Sequence, residues 1–184
     1  MMKRLLAVVA LVLLTGCGGN GALDKVMALR ADLLAAECSF HTVITADYGD
    51  AVHSFAMDCR FDTDGSLAFT VTEPESIAGI TGTVSREGGM LTFDDSVLAF
   101  PLLADDQFSP VSGPWVLMQS LRGGYMTACG EENSRIRATI RDTYEEDALQ
   151  LDIWLDEKAL PAEGEILWDG RRVLTMKVEN FKYL

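Results

Sequence analysis

The sequence predicts an α+β fold: a curved antiparallel sheet forms a half-open barrel, closed by an N-terminal helix and a mid-chain helix. Three observations predict it. A helical segment near the start leads into a long succession of segments with apolar residues at every second position. Turn sequences separate these segments, as in an antiparallel meander. A second helical segment interrupts the succession near its middle, and no repeat of roughly 20–50 residues is present.

The first residues indicate where the protein acts. Lys3 and Arg4 precede an apolar run over residues 5–14, the pattern of a secretory signal peptide, and this run is shorter than the roughly 20 residues of a transmembrane helix. Residues 14–17, LTGC, resemble the lipobox of bacterial lipoproteins. The resemblance implies that residues 1–16 are removed and that Cys17 is lipidated with diacylglycerol and, in many bacteria, with an N-linked acyl chain such as palmitate. An ordinary signal peptide containing a cysteine is the alternative.

The chain is strongly acidic. It carries 15 basic and 28 acidic side chains, for a net charge of −13, and loss of Lys3 and Arg4 with the signal makes the remainder two units more negative. Nucleic-acid binding needs a basic surface, so the composition argues against that function. Anionic lipid headgroups also repel such a domain, so the acyl chains on Cys17 are expected to hold it at the extracytoplasmic face of the cell membrane.

The first predicted helix covers residues 22–36. Residues 17–21 form a short tether that reaches at most about 13 Å when extended, and residues 22–184 are predicted to be a single domain. Apolar residues of the helix fall on one stripe at helical spacing, with Leu29 at its edge: Leu23, Val26, Met27, Leu33 and Leu34. Arg30 interrupts this stripe. We expect the stripe to cover one side of a sheet.

Strands are predicted from alternating apolar residues. A hairpin over 38–44 and 52–61 comes first, with its turn at 47–50. A second helix is predicted over 112–121, because Pro114 lies in its first turn and two glycines follow it. The other predicted strands cover the following ranges: 66–72, 81–85, 90–93, 97–100, 135–143, 148–156, 164–168 and 173–181.

The cysteines leave several pairings open. A hairpin turn centred at residues 48–49 places Cys38 opposite Cys59, which allows a cross-strand disulfide, whereas a register two residues different makes the pair diagonal. A bridge from Cys129 to either one, and three unpaired buried thiols, are the alternatives. No Cys/His cluster has the spacing of zinc ligands, so we expect no metal site and no cofactor.

The order of these parts resembles the LolA/LolB-like superfamily of lipoprotein carriers and lipid-binding lipoproteins. The N-terminal helix leads into a hairpin meander, the strand at residues 69–74 (FTVTEP) ends at a proline, and the segment 173–181 (VLTMKVENF) resembles the superfamily's closing strand. The resemblance implies that acyl chains bind on the concave apolar side of the half-barrel. The candidate lining residues are Phe69, Val71, Ile77, Ile80, Leu91, Phe93, Trp115 and Leu117. The alternative is that these side chains fill the core.

Anchoring at Cys17 distinguishes this chain from the soluble LolA-type shuttles. It favours a LolB-like receptor or a static binder of lipid or acyl chains. Because lipid-anchored members of the superfamily occur in spore-forming bacteria, a non-catalytic adaptor that docks an envelope or cell-wall enzyme, in sporulation or germination, is the alternative function.

No catalytic motif is present in the sequence. It lacks a Gly-x-Ser-x-Gly elbow, a His-Glu-x-x-His helix, a P-loop and a Rossmann glycine pattern. His41 and His53 are the only histidines, and the predicted hairpin points them to opposite faces. The acidic segment 145–147 is typical of a solvated turn. We therefore expect a binding protein and not an enzyme.

Overall fold

A computed structural model describes residues 21–104, 107–142 and 149–184 of the chain. Cys17, with the rest of the signal and most of the tether, lies outside these residues, as does the predicted turn at 145–147. No helix within the described part of the chain is long and apolar enough to cross a membrane.

Two α-helices and thirteen strands form the described structure. The helices are α1 (Gly21–Ala35) and α2 (Gly113–Gly123), and a 3-10 turn at Pro110–Ser112 leads into α2. The strands are, in chain order, β1 (Cys38–Asp47), β2 (Val52–Phe61), β3 (Leu67–Glu73), β4 (Thr81–Ser85), β5 (Gly88–Phe93), β6 (Ser96–Phe100), β7 (Leu103–Ala104), β8 (Gln107–Phe108), β9 (Tyr125–Glu132), β10 (Arg135–Arg141), β11 (Gln150–Leu155), β12 (Pro161–Trp168) and β13 (Arg171–Tyr183).

Eleven of these strands form one antiparallel sheet in the order β6-β5-β4-β3-β2-β1-β13-β12-β11-β10-β9. The first and last strands of the chain pair in the middle of this sheet, and the meander runs outward from them on both sides. Because β6 and β9 are free edges, the sheet is not closed. The predicted α+β class, with an open antiparallel sheet and two helices packed against it, is confirmed.

The inner face of the sheet is the one that the helices cover. Alternate residues of β1–β3 and β10–β13 point to it and are buried, as period-two strands with one covered face require. Glycine allows a close approach of α2 at Gly164, where a Cβ atom would lie 2.7 Å from Leu117 Cδ1. The core therefore lies between this half of the sheet and the two helices.

Helix α1 is rotated relative to the prediction. Its buried side is formed by Ala22, Val26, Leu29 and Leu33. Three members of the predicted stripe, Leu23, Met27 and Leu34, are instead exposed. Arg30 lies beside them and donates from Nη2 to the carbonyl oxygen of Gly124 at 2.8 Å. The stripe is wrong by about a quarter of a turn, because the small residue Ala22 takes part in the packing.

Two further differences concern strands. Strand β9 was not predicted, because its residues do not alternate clearly between apolar and polar. In the first hairpin, Cys38 pairs with Phe61 and Cys59 pairs with Phe40, so the predicted register is wrong by two residues. Both cysteines face inward, diagonal to each other, and both are free thiols.

Candidate hydrophobic-ligand site

The eight candidate lining residues fall into two groups. Half of them fill the core under the helices and are at most 7% exposed: Phe69, Val71, Trp115 and Leu117. Trp115 also donates from Nε1 to the carbonyl oxygen of Gly65 at 2.8 Å. These four side chains belong to the hydrophobic core.

The other four residues lie at the margin of this core, and Ile77, Ile80 and Leu91 pack against it. Ile77 is in the loop between β3 and β4, and Ile80 directly precedes β4. Two backbone hydrogen bonds, from Val71 N to Ile80 O and from Gly79 N to Val71 O, hold this loop against β3. Leu91 and Phe93 lie on β5, and Phe93 is 50% exposed.

Strands β4, β5 and β6 form a region that we call the overhang. Cross-strand pairing runs from Phe69 through Gly82 and Leu91 to Leu98, so Leu91 and Leu98 share the inner face with the core residue Phe69. Leu98 is nevertheless 64% exposed. The inner face of the sheet thus continues past the helices as an uncovered apolar surface.

Glycines shape the base of the overhang. A Cβ atom on Gly82 would lie 2.6 Å from the ring of Phe69, and one on Gly89 would lie 2.0 Å from the ring of Phe100. The two aromatic rings therefore occupy the places that side chains on β4 and β5 would take. This packing closes the overhang on its core side and leaves it open toward Leu98.

A cavity of about 310 Å³ lies on this inner face. Its wall consists of Ile80, Leu91, Phe93 and Leu98, with Asp94 and Ser96 from the β5–β6 turn. Three of the eight predicted lining residues thus come together here, and Leu98 joins them. The signal for Leu98 was present in the sequence, because it lies opposite Leu91 in the β5–β6 hairpin.

A larger groove of about 750 Å³ lies on the opposite, outer face of β2–β6. Threonines from neighbouring strands form its floor, among them the directly paired Thr70, Thr81 and Thr92, and Met90 and Val97 add apolar surface. Charged residues are confined to Asp58 and Arg60 on β2. The sequence analysis did not identify this groove, because the outward positions of a half-buried strand carry no distinctive pattern.

The outer face of β9–β11 carries a polar network instead. The buried carboxylate of Asp152 accepts hydrogen bonds from Arg137 Nη2 at 2.9 Å and Thr139 Oγ1 at 2.6 Å. The Arg137 guanidinium also stacks on the Trp154 ring, and Glu132 accepts from Trp154 Nε1 at 2.7 Å. The hydrogen bond that Arg137 donates to Asp152 is the main reason that the pKa of Arg137 is raised. These contacts join three strands, which is a structural role.

The thiols and histidines form no reactive site in the described residues. Burial raises the pKa of Cys38 to about 12 and also raises that of Cys59, so both remain protonated at neutral pH. His41 bonds to Asp58 at 2.8 Å on the outer face, whereas His53 pairs with the buried residue Ala46. No group of three metal-ligating side chains occurs within the described ranges.

The chain was compared with known proteins. No protein-family model and no curated protein matches it. Among solved structures, an uncharacterised conserved protein from Thermus thermophilus has a TM-score of 0.48 and 8% sequence identity over 88% of this chain and 87% of that one. A LolA superfamily protein from Nitrosomonas europaea has a TM-score of 0.45 and 9% identity over 88% and 92% of the two chains.

A third similar structure is that of the CwlD amidase from Clostridioides difficile in complex with the GerS lipoprotein. The TM-score is 0.45, with 12% identity over 81% of this chain and 87% of that one. One of these similar structures is thus of a LolA superfamily protein. At these identities the similarity concerns the fold alone.

Proposed function

We propose that the protein is a lipid-anchored envelope lipoprotein that binds a lipid or acyl chain on the inner face of the overhang. The observation that supports this most directly is the open apolar cavity of about 310 Å³ between Ile80, Leu91, Phe93 and Leu98. The rest of this protein is acidic. Exposed leucine and phenylalanine side chains that line one concave site on such a protein are typical of a binding site.

The size and chemistry of the cavity favour a single acyl chain. Small-molecule sites usually enclose about 300–1,000 Å³, and this cavity is at the lower end of that range. Each buried methylene contributes about 0.8 kcal/mol, so burial of six methylenes contributes roughly 5 kcal/mol before the cost of association. Because the cavity is open at Leu98, a longer chain can extend past β6 into solvent or toward the membrane.

The anchor is the second part of the proposal. Removal of residues 1–16 and lipidation of Cys17 would hold the domain, residues 22–184, within about 13 Å of the bilayer through the tether at 17–21. This position suits a protein that receives or holds lipid at the membrane. The Cys17→Ala variant should lose acyl labelling, and it should either be released from the membrane or remain unprocessed. Retention and processing identical to those of the unaltered protein would contradict the anchor.

Ligand binding can be tested with the fluorescent fatty acid cis-parinaric acid. The full chain with Cys17→Ala is used, so that its own acyl groups do not compete for the cavity. Two further substitutions form a matched pair on β6: Leu98 faces the cavity and is 64% exposed, whereas Val97 faces the outer groove and is 66% exposed. We expect Leu98→Asp to weaken binding at least tenfold, because it places a charge against the acyl chain.

The Val97→Asp variant should bind cis-parinaric acid as the parent does, since its side chain lies on the other face. An equal loss of binding in both variants would place the ligand elsewhere. No binding by the parent would contradict the proposed ligand class.

The outer groove supports a second candidate function, the docking of an envelope or cell-wall enzyme. Its floor is uncharged and includes Met90 and Val97, which are both more than half exposed. For this function the matched pair should behave in the reverse way. Val97→Asp should abolish capture of an envelope protein from cross-linked cells, and Leu98→Asp should leave capture unchanged. Capture that responds only to Leu98→Asp would refute docking in the groove.

A further inference from the structure

Helix α1 has a second apolar stripe that no described residue covers. Leu23, Met27 and Leu34 are 38%, 51% and 56% exposed, respectively. At about 100° per residue they fall within about 40° of arc, roughly 105° around the helix from the buried side. Isolated exposed apolar residues are ordinary, but these three are aligned along one helix, with Arg30 at the edge of the stripe between Met27 and Leu34.

The charged residues of α1 are distributed unevenly around this stripe. Lys25 and Asp32 lie on the far side of the helix, about 170° from the centre of the stripe. Arg30 lies about 40° from the centre of the stripe, and Asp24 lies about 80° from it on the other side. The guanidinium of Arg30 donates to the carbonyl oxygen of Gly124. The charge closest to the stripe is therefore positive, in a chain whose net charge is −13.

The distance between the anchor and α1 determines what this stripe meets. Helix α1 begins at Gly21, four positions after Cys17, and this span reaches at most about 13 Å. The stripe itself is about 16 Å long, from Leu23 to Leu34. A helix fixed at one end so close to the bilayer can place the whole stripe at the depth of the headgroups by lying parallel to the surface.

We propose that the stripe formed by Leu23, Met27 and Leu34 contacts the bilayer and orients the domain on it. Amphipathic helices at membranes bury their apolar side about 5–10 Å into the boundary between headgroups and acyl chains. Arg30 lies beside the stripe, and anionic lipid headgroups attract its positive charge. This inference rests on the proposed lipid anchor, because three apolar side chains alone do not hold an acidic domain at a membrane.

Tryptophan quenching by brominated lipid tests the contact. The lipidated protein is prepared as Met27→Trp and, as the matched control on the far side of the same helix, as Lys25→Trp. Both are reconstituted into phosphatidylcholine–phosphatidylglycerol vesicles with bromine on the acyl chains. Subtraction of the unaltered protein's spectrum removes the signal of its three native tryptophans. We expect the indole at position 27 to be blue-shifted and at least twofold more strongly quenched than the indole at position 25.

Flotation of the same vesicles separates the two proposals. Protein that does not float contradicts the anchor, and the orientation with it. Protein that floats with equal quenching at positions 25 and 27, or with stronger quenching at 25, overturns the orientation alone and leaves the anchor intact. Repeating the measurement in the Leu98→Asp background excludes quenching by a brominated lipid held in the overhang cavity.

Discussion

The two ends of the eleven-stranded sheet differ in what lies against them. At the β9 end, α1 packs on β9 and β10, and the inward side chains of β10 are buried. At the β6 end the same inner face continues, but Leu98 and Phe93 are at least half exposed. Apolar side chains point to the inner face at both ends, from Ile136 and Ile140 on β10 and from Leu91 and Phe93 on β5. Coverage by the helices, and not the composition of the strands, therefore decides which apolar residues form core and which form a site.

Two leucines measure this difference most directly. Leu151 on β11 is fully buried on the covered inner face, and Leu98 on β6 lies on the uncovered one. Leu151→Ala should reduce the free energy of unfolding by about 3–5 kcal/mol, because it leaves a cavity in packed surroundings. Leu98→Ala should change it by no more than about 0.5 kcal/mol. Urea unfolding of both variants measures the difference, and comparable losses would mean that the overhang is part of the core.

Two aspartates extend the comparison to the outer face. Asp152 is 3% exposed and accepts hydrogen bonds from Arg137 and Thr139, whereas the Asp58 side chain is 68% exposed and pairs with His41. Removing Asp152 breaks hydrogen bonds of a buried charged group, so Asp152→Ala should lower the free energy of unfolding by about 2 kcal/mol. Asp58→Ala should cost less than about 0.5 kcal/mol, as is usual for exposed pairs.

Denaturant unfolding at pH 7 distinguishes these two variants as well. A small loss of unfolding free energy in Asp152→Ala would mean that Arg137 and Thr139 form hydrogen bonds with water instead. The polar network on β9–β11 would then contribute little to stability.

Much of the fold followed from the sequence because local patterns determine it. Alternating residues identified most of the strands. Local sequence also determines the turn at Asp169–Gly170, where both residues adopt positive φ, as a two-residue hairpin turn requires. The stripe on α1 and the register of the first hairpin were wrong. Both depend on packing between distant segments, which a local pattern does not contain.

The candidate site was predictable only in part, for the same reason. The inward direction of Leu91 and Phe93 follows from their alternation on β5. Whether such a side chain is covered depends on where α2 ends over the sheet, and the sequence of β5 does not record this. Phe69 and Leu117 were therefore grouped with Leu91, although the first two are core residues.

Alkaline pH should destabilise the covered part of the molecule. Burial raises the pKa of Cys38 to about 12, from an ordinary value of 9.0, and raises that of Cys59. The folded state then keeps protons that the unfolded chain loses above pH 9. The stabilising contribution is complete below that pH and is lost as the pH rises toward 12, by at most about 1.4 kcal/mol per pH unit for each thiol.

The Cys38→Ala, Cys59→Ala double variant isolates this effect. Its urea midpoint should fall less steeply than that of the parent between pH 9 and pH 11. Identical slopes would show that other groups, and not the buried thiols, govern alkaline unfolding.

The last comparison is between the two edge strands, where substitutions should alter association between chains but barely change stability. Strand β6 (SVLAF) is uncharged and exposes Val97 and Leu98 on its two faces, whereas β9 ends in Glu131 and Glu132 and pairs with β10 through a bulge. Charges and bulges at an edge oppose pairing with a second chain. Val97→Lys should therefore reduce concentration-dependent association of the Cys17→Ala chain in sedimentation velocity, with a stability change within about 0.5 kcal/mol. Thr127→Lys on β9 is the control and should leave association unchanged, because that edge is already protected. If neither substitution alters association, or if only Thr127→Lys does, the β6 edge is not where chains meet.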